Sequence, residues 1–432
     1  MTLDQPPARE VRAVPNPGAA LRPTPAAGPL ERVAAGSFLL YALSLPVAIA
    51  PMNIAGGLCV ALTLSVWLTR QGAHRVRTPL DFPALAWLAA MGLSTLFAID
   101  PAGSAENLGK GLIPFAAGVA AWHAAERRRG AAAVTALLAA GSVASLIGVA
   151  GFLATGGHFP VARAIGLTGT WMTFSLQLLL LASLACGVAI TARRRAWRLG
   201  ALAAALLCAL GVVTSFTRSA WIGLAVSVGV MLGLRRPRYL IVLGVLAAVA
   251  FAALPGEFGD RLRSAFDPSH PGNLERTHMW DAGVRVFRDH PVTGVGLQNL
   301  TSLVQRYNSP AAIERPAHVH SAYLQVAVST GVVGCFAFLL LCFGLLRTSA
   351  PGAPDLRRAS GLGVGVRLGV TGGIIGFLLA ALFDHPFGDE QLLFLLFVLA
   401  GIAWAARGWD RRIADAPDSS SPSGGESGPV AA

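Results

Sequence analysis

Lysine is almost missing from this 432-residue chain: Lys110 is the only one, and every other basic residue is arginine. Charge of any kind is scarce, at 13% of residues against about 25% in a soluble domain. There is no His-Glu-x-x-His and no Asp-x-Asp, so the common acidic and histidine devices for holding a divalent cation are absent. The five cysteines (Cys59, Cys186, Cys208, Cys335, Cys342) are odd in number and lie inside apolar runs without ligand spacing. They read as small buried hydrophobes, which excludes a disulfide framework and a zinc site. Gly294-Val295-Gly296 follows no strand, so it is no nucleotide fingerprint. No cofactor is expected.

Apolar sequence is abundant. Hydrophobic residues make up 54% of the chain, in uncharged runs that recur along most of its length. Such runs, about 17–25 residues each, match the thickness of a hydrocarbon core. We read about twelve spans, near residues 33–53, 55–69, 82–98, 109–125, 131–154, 168–191, 199–215, 219–234, 239–254, 320–346, 366–383 and 390–406. Pro51 and the Gly56-Gly57 pair suggest that the first two form a broken hairpin. The sequence therefore predicts an all-α membrane protein with a transmembrane domain over 31–408. The Pro-rich segment 1–30 and the Ser/Gly/Pro-rich segment 409–432 read as disordered tails. The first is too long and too proline-rich for the start of a cleaved signal peptide.

A net charge of +12 invites a nucleic-acid reading, but the arginines sit in small groups between apolar runs and form no single stripe. No nucleic acid is expected as a partner. Their distribution instead sets orientation. With the N-terminus cytoplasmic, every inside loop is arginine-rich, for example Arg127-Arg128-Arg129, Arg193-Arg194-Arg195 and Arg235-Arg236. Both termini are then cytoplasmic. The outside face carries one long loop, 255–319, with an amphipathic helical pattern at its centre.

The chemically capable residues gather on that outside face. Thr214-Ser215-Phe216-Thr217-Arg218 joins two spans with almost no loop, and an arginine at the bilayer centre costs roughly 2.5–3.5 kcal/mol. Arg218 either snorkels to the headgroups or faces a cavity as an anion-binding group. In the long loop, Asn273 is a plausible N-cap that places Arg276 in the first helical turn. Met279, Trp280, Val284 and Phe287 form a stripe that could lie on the membrane surface, and Asp289-His290-Pro291 should end the helix. His318-Val319-His320 re-enters the membrane ahead of Ser321 and Tyr323. A His-x-His pair can ligate a metal, but no further ligands are evident, and a histidine there can equally handle a proton. Arg163, Asp384 and His385 share the same face. Taken together, the arginines suit a substrate bearing phosphates, because the guanidinium fork matches phosphate oxygens.

At these residues the chain resembles the O-antigen ligase and polymerase superfamily of bacterial envelope enzymes. The resemblance covers roughly 160–400 and is carried by the Thr/Ser-rich turn with Arg218, Arg276-x-x-x-Trp280, His290-Pro291-x-x-Gly294-x-Gly296, and His320-Ser321-x-Tyr323-Leu324-Gln325 leading to Thr330-Gly331-x-x-Gly334. It implies a metal-independent glycosyltransferase of the inner membrane, working on the periplasmic side. Its donor would be a glycan on undecaprenyl-pyrophosphate, and its acceptor the lipid A core or another glycan. By that resemblance Arg218 and Arg276 grip the pyrophosphate and His320 orients or deprotonates the acceptor. Arg163, Trp280, His318 and Tyr323 would contact substrate. Many members have asparagine where this chain has Ser321, which leaves the partner of His320 open. Ligase is the favoured activity. Polymerase is the alternative, since Arg285 and Gly296 fit an Arg-x10-Gly pattern once. Transfer to protein is less favoured, because that branch carries a further C-terminal region that the residues after Arg412 do not provide. A transporter would place charges near the midplane in two similar halves, which are not seen here.

Overall fold

The computed structural model describes residues 28–69, 76–298, 300–309, 312–313, 318–352 and 360–410, and it contains no β-strand among them. Both predicted tails, apart from residues 28–30 and 409–410, lie outside the described residues, as do several of the inside-loop arginines. The helices are α1 (Pro29–Ser44), α2 (Ile49–Thr69), α3 (Asp81–Leu96), α4 (Pro101–Leu108), α5 (Ala116–His123), α6 (Arg127–Ala154), α7 (Trp171–Thr191) and α8 (Arg195–Thr214). They continue with α9 (Arg218–Arg235), α10 (Arg238–Ala253), α11 (Gly256–Arg263), α12 (Pro271–Asp289), α13 (Thr301–Tyr307), α14 (Ala322–Ser349), α15 (Leu362–Ala380) and α16 (Glu390–Ala405).

Helix occurs in each of the twelve predicted stretches, yet among the described residues seven helices are long and apolar enough, by length and composition, to cross a membrane. The protein is multi-pass. Two expectations are corrected locally. The first two helices part at 45–48, beside Pro46, while Gly56 lies inside α2 against the ring of Tyr41. The stretch 109–125 is not one continuous α-helix. Gly109–Phe115 is a 3-10 segment containing Pro114, whose missing N–H and ring disfavour an α-turn, and α5 follows it.

The centre of the bundle is α7, α15 and α16, the most enclosed of the long helices. Glycine lets α15 approach its neighbours backbone to backbone. A Cβ on Gly187 of α7 would stand 2.4 Å from the Gly365 carbonyl oxygen, and one on Gly376 would stand 2.2 Å from that of Gly223 in α9. In lipid, where helices gain little from hydrophobic association, such close packing is a main source of adhesion. Ser227 of α9 donates to Ser183 of α7 at 2.7 Å in the same layer.

Helix α14 is broken at Gly331, whose φ of 62° lies in the left-handed region. A break leaves backbone groups without partners, and the segment after α12 supplies them. Val295 N and Gly296 N each donate at 3.0 Å to Val328 O and Ser329 O, while Val332 N donates to Pro291 O at 2.8 Å. Contact is tight enough that a Cβ on Gly294 would stand 2.4 Å from the Ser329 carbonyl carbon, and one on Gly331 would stand 2.2 Å from Val292 O. The Pro291-to-Gly296 motif is thus a clamp on a broken helix. It fixes where the start of α14 points.

Candidate active site

Helices α8 and α9 are joined by Ser215, Phe216 and Thr217, with Phe216 in the left-handed region at φ 53°. Its ring is fully buried between Phe258 and Phe159, at centroid distances of 4.6 and 4.9 Å, so packing holds an otherwise unfavourable backbone. The turn's carbonyls face arginines. Arg163 donates from Nε to Ser215 O at 2.8 Å and from Nη2 to Phe216 O at 3.0 Å, with its guanidinium 4.2 Å from the Trp171 ring centre. Arg261 donates to Phe216 O at 3.1 Å and lies over Phe159.

Arg218, the first residue of α9, is buried. It donates to Ser264 O at 2.6 Å, Ser264 Oγ at 3.1 Å and Asn273 Oδ1 at 2.7 Å. Asn273 is therefore not the N-cap of α12. His270 is, accepting from Gly272 N at its Nδ1, because the helix starts earlier at Pro271. Arg276 consequently sits in the second turn. Asn273, Arg276, Thr277 and Trp280 recur at helical spacing on one side of α12, and all line one cavity of about 500 Å³. The buried side of α12 is Met279, Ala282, Gly283 and Val286, packed against α14, while Val284 is exposed. The predicted membrane-surface stripe is corrected accordingly.

Arg163, Arg218, Arg261, Arg276, Trp280 and His320 line the same cavity. Among the described residues none of these four arginines pairs with a carboxylate; their partners are carbonyls, a hydroxyl and an amide, and Arg276 has no hydrogen-bond partner. Neutral partners orient a guanidinium without cancelling its charge. Burial, then Arg261, Arg218 and Arg276, push the Arg163 guanidinium down to about 9, still charged at neutral pH. Burial and Arg276 likewise lower Arg261. An anion entering the cavity would relieve this mutual repulsion.

His320 also adopts left-handed backbone, at φ 46°, immediately before α14. Ser321 caps that helix through Leu324 N, and Ala322 N donates at 2.9 Å to both Ala381 O and Asp384 O. This ties the start of α14 to the turn after α15. The buried Asp384 carboxylate thereby comes within 3.8 Å of His320 Nδ1, leaving Nε2 available to the cavity. His318 lies beside His320, with ring centroids 4.4 Å apart and the planes tilted, but it is outside the cavity lining. Burial and His320 lower His318 to about 4, and burial lowers His385 behind it to about 3. Tyr323 also lies outside the lining; its hydroxyl donates to Leu378 O at 2.9 Å, joining α14 to α15. His318, His320 and Asp384 have ligand atoms within 4.8 Å of one another, a set able to hold a metal ion.

Arg261 was not singled out in the sequence, and Asp384 stood there only as a lesser candidate on the outside face. The signal for Arg261 was its spacing of three from Phe258, which places both on one side of α11 toward Phe216 and Phe159. Asp384 had no local signal, since only the fold brings it to His320.

Residues 202–339 match the family model described as O-Antigen ligase. A comparison with curated proteins finds no match. The matched stretch holds Arg218, Arg261, Arg276, Trp280, His320 and both sides of the glycine clamp, while Arg163 and Asp384 lie outside it. Residues 202–339 are thus similar to the O-antigen ligase family, which supports the resemblance read from the sequence.

Proposed function

We propose that this protein transfers a glycan from undecaprenyl-pyrophosphate to a hydroxyl of the lipid A core, on the periplasmic face of the bacterial inner membrane and without a metal ion. The observation that carries the reading is a single cavity lined by four arginines without carboxylate partners and by His320 beside Asp384. A pyrophosphate leaving group needs positive charge as its bond to the sugar breaks, and charge held in place beforehand stabilises that transition state most. Arg218 is fixed by three hydrogen bonds, whereas Arg276 keeps its donors for the substrate. Arg163 and Arg261 reinforce the field from the side of the turn.

His320 is suited to the acceptor. With Nδ1 toward Asp384, Nε2 accepts the hydroxyl proton as the acceptor oxygen attacks the anomeric carbon. The carbon–oxygen bond to pyrophosphate breaks, and the carrier leaves with that electron pair. Asp384 sets the tautomer and stabilises the imidazolium, as a carboxylate does for a catalytic histidine elsewhere. A cation bound at His318, His320 and Asp384 would occupy the base and face four guanidiniums across one cavity. Transfer without metal is the better fit.

For the polymerase alternative, Arg285 is exposed, paired with Asp281 and outside the cavity, while Gly296 belongs to the helix clamp. The Arg-x10-Gly spacing therefore has a structural explanation. Deletion of the gene tests the reading. Free lipid A core with long glycan accumulating on the carrier is expected, whereas core bearing a single repeat would make the enzyme a polymerase.

A further inference from the structure

Helices α7 and α8 each run between two basic clusters. Trp171, at the start of α7, lines the reaction cavity; the other end, about 30 Å away for a helix of this length, opens on a second cavity of about 360 Å³. Arg127, Arg193 and Arg194 line it. Among the described residues the side chains of Arg127 and Arg194 have no hydrogen-bond or ion-pair partner, and that of Arg193 donates only to Ser360 Oγ, at 2.9 Å. Arg127 is the first residue of α6 and Arg194 the cap of α8, where the helix dipole disfavours cations. The one acid in the lining, Asp410, already accepts from Val364 N at the start of α15. Positive charge is thus concentrated at this spot beyond what the described residues balance.

Trp197 is shared between this cavity and an apolar groove of about 400 Å³ that continues between α6 and α8. Its walls include Leu138 and Ala139 on one side and Ala204 and Leu207 on the other. A charged cavity opening into an apolar groove calls for an amphiphile with an anionic head and a long hydrocarbon chain. We propose that this end of the molecule binds an anionic phospholipid, its phosphate among Arg127, Arg193 and Arg194 and one acyl chain in the α6–α8 groove. The site stands independently of the transfer chemistry.

Gly200 lines the groove, and a Cβ there meets nothing within 4 Å, so the side chain of Gly200→Phe leaves the helix into open space at the groove. The test is thermal unfolding of the full-length protein in detergent, with added phosphatidylglycerol, phosphatidylethanolamine or inorganic phosphate. Only phosphatidylglycerol should raise the melting temperature, as expected for a ligand of the folded state. The Arg127→Gln/Arg194→Gln variant should need roughly tenfold or more phosphatidylglycerol for the same rise, and Gly200→Phe should also weaken the response. Lipid-free melting of each variant checks that it folds. Equal stabilisation by the zwitterionic lipid, a response unchanged in both variants, or full stabilisation by inorganic phosphate would each overturn the proposal.

Discussion

The arginines at the two ends of α7 are held in opposite ways. At the candidate active-site cavity Arg163, Arg218 and Arg261 are wholly or partly buried, and each is aimed by carbonyl oxygens. At the far end Arg127, Arg193 and Arg194 are exposed, and among the described residues their side chains have almost no protein partners. Desolvating a guanidinium is costly, so fixed and partly buried ones need a reason that exposed loop charges do not. Fixed cations suit a transition state, which rewards donors already in place. Exposed ones suit a headgroup at the membrane surface.

The two ends are most readily told apart at the candidate active-site cavity. Arg218→Ala, Arg276→Ala and His320→Ala should each lower glycan transfer by at least about a hundredfold, with normal membrane levels on immunoblots. Near-normal transfer in all three would remove the distinction between the two ends. Asp384→Asn should cost roughly a hundredfold or more while donor binding persists, because it acts on the His320 tautomer. A matched loss of donor binding would show instead that Asp384 holds the cavity together.

Smaller effects follow from packing and protonation. Gly331→Val forces a β-branched residue into left-handed backbone against Val292 O, at a cost of about 1–3 kcal/mol. Unfolding in detergent should show the loss, and an unchanged melting point would argue against the clamp. The folded-state values of His318 and His385, about 4 and about 3, lie below the ordinary 6.5. The unfolded chain therefore takes up these protons first. Stability present above about pH 6.5 should decline as pH falls toward those values, and His385→Gln should flatten that decline. Transfer should also continue in EDTA; loss restored by magnesium or manganese would place a cation at His318, His320 and Asp384.

Much of this was legible because lipid constrains sequence strongly. Long apolar runs marked the helices, and Arg218 stood out because an arginine between two spans is expensive. Arg276 and Trp280 were joined only by the Arg276-x-x-x-Trp280 motif, since periodicity had put Trp280 in an apolar stripe. What escaped notice depended on contacts distant in sequence. Asp384 reaches His320 only because the turn after α15 bonds to Ala322 N. Gly294 and Gly331 gave no hint of meeting, since their roles depend on a break in α14. Tyr323, in the same motif as His320, points to α15, because it lies on α14 whereas His320 precedes the helix in left-handed backbone.

The central claim, that the arginines hold the donor while His320 activates the acceptor, is best tested with purified protein and an undecaprenyl-pyrophosphate-linked glycan, measuring donor binding and transfer separately. Arg276→Ala should weaken donor binding and transfer together, whereas His320→Ala should bind donor normally and transfer none. Wild-type transfer by His320→Ala, or unchanged donor binding and transfer by Arg276→Ala, would contradict it.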